Sequence, residues 1–144
     1  MRYGVIFGLL VLALPALDAA ARTGSGLWPV EIFDVMDGQR LVVFLHNEDI
    51  AASRPWQPSE GGPPLTIAEV LEHIKDWVVK DPRLTGAQVR EIELKPIHEH
   101  EMEHRWYYLV QLHGTRNGRP KAFYAAVLFT GKIVPAMVEP ASIK

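Results

Sequence analysis

LTIAEVLEHIKDWVVK, residues 65–80, is the stretch on which the reading of the whole chain turns. Thr66 is a good helix N-cap, and Glu69 three residues later completes the pattern of a capping box. Ile67, Val70, Leu71, Ile74, Trp77 and Val78 then recur at the spacing that gathers side chains on one helical face. The opposite face carries Glu69, Glu72, His73, Asp76 and Lys80, as suits a helix with water on one side. Asp81-Pro82 ends it, because proline disfavours helical geometry in the residue before it. A helix with such a stripe needs a second layer to cover it, and the residues that follow are expected to supply a sheet.

Those residues read as strands. Residues 89–97 alternate apolar Ile92 and Leu94 with charged Glu91, Glu93 and Lys95, the period of a strand with one wet face. Residues 106–113 place Trp106, Tyr108, Val110 and Leu112 on one side and Tyr107, Leu109, Gln111 and His113 on the other. Asn117-Gly118 turns the chain into a strand over residues 122–129 that is apolar on both faces. Thr130-Gly131 leads to a last strand, residues 132–138, whose Pro135 requires an edge position because it cannot donate to a ladder. Upstream, residues 30–36 and 40–46 are rich in β-branched and aromatic side chains around Asp37-Gly38, a two-residue hairpin signal. The arm Leu41-Val42-Val43-Phe44-Leu45 is apolar on both faces, so it is expected to be covered on both sides or buried by the terminal segment. The expected fold class is α+β, one helix packed on a curled antiparallel sheet.

The N-terminus bears on compartment. Arg2 precedes an apolar run, residues 3–17, and then Ala19-Ala20-Ala21, the small residues a signal peptidase accepts. Residues 1–21 are therefore read as a signal peptide, 22–26 as a flexible tether, and 27–144 as one domain in the periplasm or outside the cell. The apolar run is shorter than a membrane-spanning helix requires, so the membrane enters only through an uncleaved signal anchor. The chain has no cysteine, which closes lipid attachment, disulfides and thiol catalysis. A net charge of -2 gives no electrostatic case for nucleic acid. The roughly 120 residues left after cleavage suffice for a core without staples.

The half from residue 65 to 138 resembles the small extracytoplasmic PepSY-type domains and, more broadly, the cystatin-like arrangement of one helix on a curled antiparallel sheet. The residues that carry this are the opening helix, VREIEL at 89–94, WYYLVQL at 106–112, and FTGKIV at 129–134, which is similar to the family's closing hairpin. The resemblance implies a periplasmic or cell-surface domain that binds or inhibits a partner and has no catalytic residues.

Two segments are candidates for contact chemistry. Residues 47–64 form a long loop with Pro55, Pro58, Pro63, Pro64 and Gly61-Gly62, expected to lack regular structure. Within it Trp56, flanked by Arg54 and Gln57, is either an anchor for a protein or cell-envelope partner or a pin that holds the loop on its own domain. The second segment is His98-Glu99-His100-Glu101-Met102-Glu103-His104. His98, His100 and His104 suit zinc, copper or nickel, whereas an alternating charged turn that protects a strand end needs no metal. Arg116, Arg119 and Lys121 make a small basic hairpin tip. There is no nucleophile elbow, phosphate-cradling glycine pattern or HExxH, so the sequence reads as a non-enzymatic binding or inhibitory domain without a cofactor. A periplasmic transition-metal-binding protein is the alternative, and an exposed sheet face would allow a homodimer.

Overall fold

The computed structural model describes residues 27–34, 38–98 and 100–139. The signal segment 1–21, the tether 22–26, and Asp37 and Glu99 of the two turns lie outside the described residues.

The chain is α+β, with one main helix and antiparallel sheets. The 14-residue helix, α2 (Ile67–Lys80), forms where its sequence places it. Glu69 N–H donates to Thr66 Oγ1 at 3.3 Å, and Thr66 N–H donates to Glu69 Oε2 at 2.7 Å, so the capping box closes in both directions. Its far end is tied by Asp81 N–H to the Trp77 carbonyl at 3.0 Å. Pro82 then forces the chain into a short 3-10 turn, Pro82–Leu84, whose Leu84 is buried.

Four strands follow as a meander: β3 (Gln88–Pro96), β4 (Trp106–Arg116), β5 (Arg119–Leu128) and β6 (Ile133–Pro135). Their order in the sheet is β3-β4-β5-β6. Asn117 and Gly118, with φ of 54° and 74°, link the directly paired Arg116 and Arg119 in a two-residue turn of the primed kind. Pro135 closes the edge strand β6, where its missing N–H leaves no gap in the ladder.

The expected last strand does not continue past that proline. It divides, and β7 (Met137–Val138) pairs with a second sheet of order β1-β2-β7, built on the hairpin of β1 (Leu27–Asp34) and β2 (Gln39–His46). The end of the chain thus stitches the two sheets together. In the hairpin the innermost pair is Asp34 with Gln39, leaving four residues between the strands rather than the two that Asp37-Gly38 announced.

The four-stranded sheet is covered on both faces. On one side Tyr108, Val110, Leu112 and Val127 pack with Val70 and Ile74 of α2. On the other, Tyr107, Ala126 and Leu128 pack with Leu41, Val43 and Leu45 of β2. Over the central strands the face opposite α2 is thus covered by the Leu41–Leu45 arm of β2. β3 has a face in water, carrying the exposed Glu91 and the Glu93–Lys95 ion pair at 2.5 Å.

Two expectations for α2 and its approach are corrected. Ile67 and Leu71, read as core, are 55% and 41% exposed. The ring of His73, on the opposite flank of the helix, lies against Gly131 at the β5–β6 turn, and a helix leaning that way turns its Ile67 and Leu71 flank outward. The stretch 47–64 is not structureless either. It opens with a six-residue helix, α1 (Asn47–Ala52), which buries Ile50 against the hairpin-side core, and contains a 3-10 turn, Pro58–Glu60. Glu48 and Asp49 in the first turn of α1 suit its positive end.

Candidate functional site

Trp56 is turned inward, and the structure makes it a pin. It is 7% exposed, its ring meets Trp106 and Phe129 edge-on at centroid distances of 5.5 and 6.2 Å, and its backbone N–H donates to the His104 carbonyl at 3.0 Å. An indole is too large to leave in water when two aromatic partners stand beside it. Of the loop's three contact candidates, Arg54 and Gln57 remain exposed. Gln57 is engaged locally, its N–H donating to Glu60 Oε2 at 2.8 Å in a small capping box.

The three histidines of residues 98–104 do not converge. His98 Nδ1 lies 3.0 Å from Glu101 Oε1, and His100 Nδ1 lies 3.1 Å from Glu103 Oε1. His98 is almost fully in solvent, the His100 side chain is 13% exposed, and His104 adopts left-handed backbone geometry with φ 55°. Among the described residues no three His, Asp or Glu side chains form a group that could hold a metal ion. His98 and His100 instead each have a carboxylate three residues on, spaced by the 3-10 turn Glu101–Glu103.

A concave surface lies elsewhere among the described residues. A cleft of about 300 Å³ opens at the C-terminal end of α2, where the helix, the β4–β5 hairpin and the junction of the two sheets meet. Trp77, Leu84, Phe123 and Tyr124 give it aromatic and apolar walls, and Leu41, Met137 and Val138 close the side formed by the second sheet. Arg83, Arg116 and Lys121 add three cations to the lining, against one carboxylate, Asp81. That carboxylate is already matched. Arg83 Nη2 donates to Asp81 Oδ2 at 2.6 Å and Arg83 Nε to Oδ1 at 2.9 Å, a two-pronged pair. Those hydrogen bonds hold the Asp81 carboxyl below its ordinary range. Tyr124 is oriented by Gln111, whose Nε2 donates to the phenol oxygen at 2.9 Å and lies 3.1 Å from His113 Nε2.

Reading the chain in order did not assemble this cleft, because its walls come from segments spread from residue 41 to residue 138. One signal was visible: Arg116 and Lys121 belong to the basic hairpin tip, though Arg119 does not line the cleft.

No helix among the described residues is long and apolar enough to cross a membrane. No family model matches the chain, nor does any curated protein or solved structure.

Proposed function

We propose that this chain is an exported, non-enzymatic binding domain for a protein or cell-envelope partner, with the cleft at the end of α2 as the centre of recognition. The observation that carries the reading is an apolar concavity with aromatic walls, Trp77, Phe123 and Tyr124, beside two packed cores. Ligand sites are commonly apolar hollows of roughly 300–1,000 Å³ with a few placed polar groups. Export rests on the signal-like residues 1–21, and a distant variant of the PepSY or cystatin-like arrangement accords with α2 lying across an antiparallel meander. Arg54, exposed beside the pinned Trp56, is a secondary contact on the loop.

The test is amide-detected NMR during a screen of small-molecule fragments. Shifts should concentrate on residues around Trp77, Phe123 and Met137, and Met137→Glu, at a 53% exposed position, should abolish them without loss of fold. Shifts confined to other surfaces, or hits indifferent to that substitution, refute the cleft as the recognition site.

A further inference from the structure

We infer that two copies of this chain pair edge to edge through β3, antiparallel about Leu94, so that their four-stranded sheets run on as one. The seam is separate from the cleft. In the sheet order β3 is terminal, and among the described residues only β4 pairs with it. Which of its backbone groups point outward follows from one bond beside the strand. Ile97 N–H donates to the Arg105 carbonyl at 2.8 Å, one step beyond the Pro96–Trp106 pair. Residues of an antiparallel strand alternate between bonding one neighbour and facing away from it. Glu91, Glu93 and Lys95 therefore bond towards β4, and Ile92, Leu94 and Pro96 turn their backbone groups to the open edge. Pro96 stands where its missing N–H breaks nothing inside the sheet. At the other end the register shifts between Val89 and Glu91, which leaves Glu91 to Pro96 as the regular length of edge.

Charge selects the partner and the register. Charged side chains on an edge strand ordinarily keep other strands away. Against a second copy of β3 they sort into opposite signs. With Leu94 opposite Leu94, Glu93 of each copy faces Lys95 of the other, at positions without backbone bonds across the seam, where paired side chains come closest. The Leu94 pair exchanges both of its N–H···O bonds, and each Ile92 N–H donates to the Pro96 carbonyl of the other copy. Neighbouring registers are worse. Centred on Glu93 or Lys95, the pairing sets that charge against its own counterpart; centred on Ile92, it sets Glu91 against Glu93. Glu93 and Lys95 have side chains 42% and 43% exposed, so both reach solvent beside the edge. On the α2 side, half-buried Ile92 and Leu94 would meet Pro96 and Leu94 of the second copy, which removes apolar surface from water. The exposed Ile67 and Leu71 flank of α2, turned away from Gly131, looks over that same side of the sheet.

Analytical ultracentrifugation from about 10 µM to about 1 mM, the span in which so small a contact dissociates, should show a reversible dimer. Glu93→Lys and Lys95→Glu should each weaken it about tenfold or more, with the circular dichroism of the fold unchanged. An equimolar mixture of these two variants should recover wild-type affinity as a heterodimer, because each supplies the charge the other needs. Damage confined to the Glu93–Lys95 pair within one chain gives no such recovery. A protein that is monomeric throughout, a dimer indifferent to both substitutions, or variants that stay apart when mixed overturns the β3 seam and leaves the reading of the cleft untouched.

Discussion

Gly131 occupies φ +84°, and a Cβ built on it would come within 2.6 Å of His73 Nε2. Two costs attach to any side chain there: left-handed backbone strain and a clash with the imidazole. His73 is exposed and can swing clear, so the backbone dominates. Gly131→Ala should cost about 1–2 kcal/mol, measured by urea unfolding, and the cost should persist in a His73→Ala background. A penalty that vanishes there would place it in the imidazole contact instead. Tyr107 carries a pH prediction. Burial, then the nearby Glu93 carboxylate, raises its phenol from 10.0 to about 12, and burial pushes Tyr108 in the same direction. The folded state thus holds the Tyr107 proton more tightly than the unfolded chain. Its contribution to stability is complete below pH 10 and disappears as the pH climbs through about 12. Urea titrations over that window should show Tyr107→Phe losing less stability than wild type. Parallel losses in the two proteins would rule Tyr107 out as the source.

At the scale of elements, α1 is held by contacts that no periodicity records. The Arg105 guanidinium reaches across from the start of β4 and donates through Nη1 to the Ser53 carbonyl, with the Ala51 carbonyl 3.4 Å away. Lys132, from the β5–β6 connection, grips both oxygens of Asp49 at 2.7 and 2.6 Å. Orphaned carbonyls at the end of so short a helix need such outside partners. Arg105→Ala should cost about 1.5–3 kcal/mol, the range for hydrogen bonds involving a charged group, and should speed hydrogen exchange at residues 50–56. Unchanged exchange there would mean the guanidinium contributes nothing to α1. The sequence signal for this helix was Asn47-Glu48-Asp49 before apolar Ile50, and the prolines that follow masked it. In α2 the signal was complete, because capping box, stripe and terminating proline all lie within one continuous segment.

At the scale of the molecule, two cores share one sheet. Val127 and Leu128 are adjacent in β5, yet Val127 faces α2 and Leu128 faces β2, because successive strand residues point to opposite sides. Loss of either covering layer exposes half of β4 and β5, so unfolding should be a single transition. Leu128→Ala should lower stability by about 2–5 kcal/mol and move the near-ultraviolet and far-ultraviolet circular dichroism transitions together. Two separated transitions would show that the hairpin layer melts on its own.

The sequence by itself determined the elements whose signals are local: α2 with its caps, the alternation of β3 and β4, the Asn117-Gly118 turn and the edge position of Pro135. It also left open whether Trp56 was anchor or pin, and why the Leu41–Leu45 arm was apolar on both faces. Only the tertiary structure decided these, because burial depends on which distant surface arrives opposite a side chain. Trp106 and Phe129 claim Trp56, while the four-stranded sheet and β7 claim β2. The cleft belongs to the same class: Leu41, Trp77, Phe123 and Met137 carry no common pattern along the chain, and they become one surface only where helix and sheets converge.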